Sequence, residues 1–320
     1  MRILITGGFG FVGGRVAQHL QQAGHEVILG SRNERKSPKW LPRAKVVKTD
    51  WKDGIALKNI CNDVDLIIQA AGMNVQDCVA DPVAALEFNG LAIARLVDSA
   101  SQAGVKRFIY LSTAHVYSNP LTGVINEYSC PSNLHPYATS HLAGENAVLS
   151  YSQRGELEGI VLRLSNAYGA PVHKDVNCWM LLANDLCQQA VKTKKMILKS
   201  NGLQHRDFVS MAEVCCVIES FSTCDIASSI DRIFNVGSGS SQSVREMGQL
   251  IQDRCKVIFG YEPELSYQEL RKDESYEELD FSQVRRRNMT AVVDFKNNIE
   301  IDNLLVFCSK SFNQDMGKRL

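Results

Sequence analysis

The stretch "ILITGGFGFVGGRVAQHL" at residues 3–20 limits what this chain can fold into more than any other. An apolar run over Arg2–Thr6 passes directly into glycines and then into a segment with helical spacing. Gly7, Gly10 and Gly13 stand in a G-x-x-G-x-x-G frame. That frame permits a tight turn, close approach of the backbone to a pyrophosphate, and close packing of helix on strand. Phosphates then sit at the positive end of the helix, which makes Gly7, Gly10, Phe11, Val12 and Gly13 candidate contacts for a dinucleotide. A glycine triplet alone also fits a plain strand-to-helix turn; its place between a strand and a helix favours the dinucleotide.

The same alternation continues. Short apolar runs at 2–6, 26–30, 44–50, 65–71, 107–113 and 159–165 read as buried strands, and Val83–Ala103 and Tyr137–Arg154 among the intervening segments have helical spacing. Buried strands alternating with helices predict an α/β chain, a Rossmann-type doubly wound parallel sheet over residues 1–165. Beyond 165 the pattern changes to a loop, a helix over Trp179–Val191 and a short strand near Met196–Lys199. The chain is expected to return to the first domain around 206–238, leaving 166–205 and 239–320 as a smaller α/β substrate-binding domain.

Bulk properties exclude several classes. Lys+Arg and Asp+Glu both number 35, so no net field favours nucleic acid or an anionic membrane. No apolar run approaches the roughly 18 residues needed to span a bilayer. The folded pattern begins at the first residues, leaving no room for a signal peptide. The ten cysteines show neither zinc-ligand spacing nor a secreted disulfide framework. A cytoplasmic protein with reduced thiols and no metal site is the expectation.

The end of the second strand reads "VILGSRNERK". An acid there accepts from the adenosine ribose hydroxyls of NAD, whereas arginine neutralises the 2′-phosphate of NADP. Ser31 can donate to a phosphate and Arg32 can clamp it, so NADP is favoured over NAD. A solvated basic loop is the plainer alternative, since Arg35, Lys36 and Lys39 follow.

With these motifs assembled, the chain resembles the extended short-chain dehydrogenase/reductase family, in its NAD(P)-dependent nucleotide-sugar epimerase/dehydratase branch. The likeness to UDP-glucose 4-epimerase-like members runs nearly end to end. It rests on the glycine loop, "KTDW", "IIQAAG", "FNGLAIARLVDSASQAGVKRFIYLSTAHVYS", "VLRLSNAYGA", "HRDFVSMAEV" and "FNVGSG". The resemblance implies further cofactor contacts at Asp50, Trp51, Ala70, Ala71, Gly72 and Asn89. It implies Thr113 as the catalytic hydroxyl and Tyr137 as the acid/base, both facing the nicotinamide. It also implies a substrate side built from Asn166, Arg206 and Arg271, the arginines meeting the nucleotide diphosphate. Family members commonly dimerise through two helices, here near 83–103 and 137–154.

Two departures from the family pattern bear on chemistry. The 4,6-dehydratases carry Asp-Glu after the catalytic threonine; this chain has Ala114 and His115, which disfavours water elimination. Epimerisation at C4 or reduction of a keto-sugar then remains. The family's Tyr-x-x-x-Lys pair is here Tyr137 and His141, in "HPYATSHLAGE". Four residues apart, they share one helix face. A lysine hydrogen-bonds the nicotinamide ribose and lowers the tyrosine pKa, whereas histidine is mostly neutral at pH 7. Histidine can still donate one hydrogen bond. Three readings stay open: an active enzyme using His141, a catalytically impaired relative acting as a nucleotide-binding regulatory or assembly protein, or the same fold acting on a different ketone.

Overall fold

The computed structural model describes residues 1–225, 232–268, 278–287 and 297–312. Its centre is a seven-stranded parallel sheet. Five of the strands are β1 (Arg2–Thr6), β2 (Glu26–Ser31), β3 (Lys45–Lys48), β4 (Leu66–Gln69) and β5 (Arg107–Thr113). Strands Glu158–Leu164 and Ile233–Val236 complete it, in the order Ile233–Val236, Glu158–Leu164, β5, β4, β1, β2, β3. The order reverses between β1 and β4, which opens a crevice at the carboxyl edge.

These strands are apolar almost throughout because both faces are covered. Within β1, Ile3 and Ile5 pack into one core with helix α1 (Phe11–Gln22) and helix Met211–Thr223. Leu4 points into the opposite core, with Leu96, Phe108 and Tyr110. A separate core forms where helices Leu182–Thr193, Val244–Phe259 and Asn297–Phe312 pack together with Met196 and Phe208. A three-stranded sheet of Asn166–Tyr168, His205–Ser210 and Ser241–Ser243 stands beside it.

Two helices differ from their sequence reading. The segment read as one helix over 83–103 is α-helical at Pro82–Ala85, widens into a π turn at Leu86–Leu91, and is α-helical again over Ala92–Gln102. The helix expected from Trp179 starts at Leu182. The Trp179 indole N–H donates to the Lys174 carbonyl at 2.9 Å, and the Leu181 amide closes a turn onto Cys178, holding 179–181 as loop.

Helix Pro136–Gln153 is fixed against the sheet by a buried ion pair. Arg163, on strand Glu158–Leu164, donates to the Glu145 carboxylate at 3.0 Å through Nε and 2.6 Å through Nη2. Ser112 of β5 donates to the same carboxylate, and the Arg163 guanidinium lies 4.7 Å from the Tyr117 ring centroid. The Glu145 and Arg163 side chains are 0% and 3% exposed, so either charge left alone would be stranded. Glu145→Ala is expected to lower the unfolding free energy by about 3–5 kcal/mol in urea titrations. Replacing both partners by methionine should cost clearly less, because no unpaired charge remains.

Candidate active site

The glycine loop joins β1 to α1 at the crevice. Gly7 has φ +67°, and a Cβ there would lie 2.7 Å from the backbone of Ala70 and Ala71, so only glycine fits. A Cβ on Gly13 would meet the Gly7 carbonyl oxygen at 2.4 Å. Helix α1 has Gly10 as its N-cap, with no side-chain cap and no acid in its first turn. Its first N–H groups are thus open to an anion.

A cleft of about 1310 Å³ runs from this loop along the carboxyl edge of the sheet. Gly7, Gly10, Phe11 and Val12 line it, as do Ser31 and Arg32 at the end of β2. Trp51 joins them, with a buried indole N–H that has no acceptor among the described residues. Ala70, Ala71 and Gly72 form the wall after β4, and Thr113, Tyr137 and His141 stand beyond them. Asn166 and Arg206 close the far side.

Three expected contacts do not line this cleft, and a fourth cannot be located among the described residues. Gly13 is buried under the loop as a packing position. Asn89 sits in the π turn, 1% exposed, where its carboxamide oxygen accepts from the Met73 amide and its nitrogen donates to Ser140. It holds the loop after β4 in place from behind. Asp50 is exposed and does not line the cleft; its carboxylate accepts from the Lys52 amide. Arg271 lies outside the described residues.

Thr113 is the last residue of β5 and caps the short helix Ala114–Val116, accepting from the His115 amide at 3.1 Å. Across from it, His135 caps helix Pro136–Gln153 by accepting from the Tyr137 amide at 3.2 Å, and Pro136 takes the first helical position. Asn133 accepts from the His135 amide and donates to the His115 carbonyl at 2.7 Å. The exit of β5 and the start of the helix are thereby tied together, and the Thr113 side chain beside Tyr137 favours the ionised phenol. Burial nevertheless pushes the Tyr137 phenol up to about 12, against the lowering effect of Thr113.

His141 lies one turn further on, its ring edge-on to Tyr137 with centroids 4.6 Å apart. Burial alone pulls its pKa down to about 4, so the imidazole is neutral near pH 7. Its Nδ1 is 2.9 Å from the hydroxyl of Tyr110, a β5 residue whose strand pattern marks it only as core. A buried tyrosine hydroxyl needs a partner, and that rule was the one available signal. His115, in the position that follows Ala114, also lines the cleft; burial, Arg206 and His135 lower its pKa in that order. Arg206 is half-buried, and its guanidinium has no hydrogen-bond or ion-pair partner among the described residues. Asn166 spends its amide nitrogen on the Asp207 carbonyl.

The NAD dependent epimerase/dehydratase family model matches residues 3–237. The chain belongs to that family. A Methanocaldococcus jannaschii protein provisionally named UDP-glucose 4-epimerase is 26% identical over 308 residues, covering 93% of this chain and 96% of its own. The dTDP-D-glucose 4,6-dehydratase of Mus musculus is 27% identical, over 79% of this chain and 73% of that protein. Among solved structures, UDP-glucose 4-epimerase of Thermotoga maritima with UDP-glucose superposes with a TM-score of 0.81 at 20% identity, over 97% and 99% of the two chains. MoeE5 in complex with UDP-glucose and NAD gives 0.78 at 22% identity, over 97% and 99%. An NAD(P)-type cofactor therefore goes with this family member, and the glycine loop, the open helix end and the orphan Trp51 N–H fit one. No helix among the described residues is long and apolar enough to cross a membrane.

The depressed pKa of His141 has a stability consequence. Unfolded, the ring takes a proton near 6.5; folded, it takes one only near 4. Stability from this group is therefore full above pH 6.5 and is lost as pH falls towards 4, by on the order of 3 kcal/mol. Urea midpoints measured across that range should fall less steeply for His141→Gln than for the wild type.

Proposed function

We propose that this chain is an NAD(P)-dependent nucleotide-sugar oxidoreductase of the C4-epimerase type, working through Thr113, Tyr137 and His141. The observation that carries the reading is that Thr113 and Tyr137 line one cleft with the glycine loop, at the carboxyl edge of the sheet. The bound cofactor supplies a hydride acceptor and donor. Thr113 and Tyr137 hold the reacting sugar hydroxyl, and Tyr137 takes its proton as the carbon is oxidised and returns it on reduction. His141 donates to the cofactor ribose without supplying charge. Arg206, lacking a partner of its own among the described residues, takes the substrate diphosphate. Asn166, which also lines the cleft, completes that side; Arg271, expected there too, lies outside the described residues.

Dehydration has no support at the strand end. Ala114 is fully buried, and the neighbouring cleft residue is His115. The carboxylates that line the cleft, Asp77, Glu87 and Asp175, come from other segments. NADP is the preferred cofactor in this reading: Ser31 and Arg32 stand at the end of β2, and the Arg35 guanidinium lies 5.0 Å from the Phe9 ring beside them. That preference leans towards keto-sugar reduction, whereas the "STAHVY" context leans towards epimerisation. A homodimer is proposed through the helices near 83–103 and 137–154, where Val83 and Leu86 are exposed.

The second reading, an impaired nucleotide-binding regulatory or assembly protein, draws on one observation: Tyr137 has a raised pKa with a neutral histidine beside it. At pH 7 the phenolate fraction would be on the order of 10⁻⁵ before cofactor charge acts. Incubation with UDP-, dTDP-, GDP- and CDP-sugars, read by chromatography and mass spectrometry, separates the two readings. The proposal expects interconversion of a 4-epimer pair or reduction of a keto-sugar, lost by about 10²–10⁴ in Tyr137→Phe. Cofactor binding with no turnover of any sugar would leave the regulatory reading standing.

Because the phenol pKa is high, wild-type kcat/KM should climb steadily above pH 7. His141→Lys should start that climb at lower pH and raise the rate at pH 7–8 by about tenfold, with cofactor affinity within a few-fold. For the cofactor, titration should give a dissociation constant about tenfold lower for NADPH than for NADH, and Arg32→Glu should reverse the order. Equal constants would remove the assignment of Ser31 and Arg32.

A further inference from the structure

Behind the cleft, the Tyr110 hydroxyl occupies a position built for it. Tyr110 is 1% exposed and points between helix Pro136–Gln153 and the π turn Leu86–Leu91. The space is left by Gly144, where a Cβ would lie 2.7 Å from the Tyr110 oxygen and 2.5 Å from the Asn89 carbonyl oxygen. Among the described residues the hydroxyl has three hydrogen-bonding neighbours: His141 Nδ1 at 2.9 Å, and the carbonyl oxygens of Asn89 and His141, both at 3.5 Å.

A neutral imidazole carries one N–H, on either Nδ1 or Nε2. Were it on Nδ1, the tyrosine would accept there, and its own proton could go only to a carbonyl at the outer limit of hydrogen bonding. With Nδ1 bare, the tyrosine donates at 2.9 Å, a normal bond. The second arrangement uses the hydroxyl proton where the geometry is good, and places the ring proton on Nε2. Nε2 has no hydrogen-bond partner among the described residues and lies on the ring edge towards Gly72, 3.7 Å from where a Cβ of that residue would sit. Gly72 and His141 both line the cleft.

We infer that Tyr110 is a positioning residue that fixes His141 as the Nε2–H tautomer, so that an uncharged imidazole presents a hydrogen-bond donor to the cofactor. The donor's target rests on the reading in the preceding subsection; the tautomer does not. Of the two tasks of the family's lysine, Tyr110 preserves the hydrogen bond and leaves the charge unreplaced.

The test is nitrogen-15 NMR of histidine-labelled protein without added ligand, the His141 signals being assigned by their loss in His141→Gln. The expected wild-type pattern is a bare Nδ1 and a protonated Nε2. Tyr110→Phe should give a mixed or reversed pattern and weaken NADPH and NADH binding by about fivefold. In a His141→Lys background the same change should alter affinity less than twofold. A protonated Nδ1 in the wild type overturns the inference, and that result requires no variant at Tyr110. So does a Tyr110→Phe protein with unchanged tautomer, or an equal loss in the lysine background, which would mark Tyr110 as merely structural. Failure to turn over any nucleotide sugar would sink the proposed activity while leaving the tautomer result intact.

Discussion

The buried pair of Glu145 and Arg163 sets the geometry on which the site depends. Glu145 lies four residues after His141 and eight after Tyr137, so the three share one helix face. Because Arg163 and Ser112 grip the carboxylate from two adjacent strands, the rotation of that helix about its own axis is fixed. Tyr137 and His141 are then delivered to the end of β5, where Thr113 waits. An apolar contact at position 145 would allow sliding; a bidentate ion pair in the interior does not.

Within this frame a histidine at position 141 differs from a lysine in a defined physical way. A lysine ammonium reaches past the tyrosine and brings charge. The shorter imidazole stays buried, loses its charge to desolvation, and relies on orientation instead. Among the described residues, Thr113 alone favours the ionised form of the phenol beside it. The cleft thus holds the Thr113 and Tyr137 hydroxyls beside a neutral imidazole.

Much of the fold was legible because its strands are apolar on both faces and its helices amphipathic. "RILIT" and "RFIYLST" matched their strands residue for residue, since no polar position interrupts them. The glycine loop was legible for a different reason: Gly7 answers a steric demand that no other residue meets. What escaped were relations between distant segments. Nothing in sequence pairs Glu145 with Arg163, or Tyr110 with His141. The π turn at Leu86–Leu91 escaped because one extra residue in a turn barely disturbs an apolar helix pattern. The distinctive motif around Asn89 points to a ligand contact, and only the structure shows its amide supporting the loop after β4. The open guanidinium of Arg206 became visible only once its surroundings were placed around it.

Gly7 packs backbone against backbone on Ala70 and Ala71, and this closeness divides the cleft rim into a rigid part and a tunable part. The exits of β1 and β4 support each other so closely that neither can gain a side chain or shift alone. The exit of β2 carries no such obligation, since Arg32, Asn33 and Arg35 are exposed and crowd no strand. Cofactor choice can therefore drift, or be redesigned, by substitution at the end of β2, without disturbing the pyrophosphate turn or the hydroxyl pair at the far end of the same sheet edge.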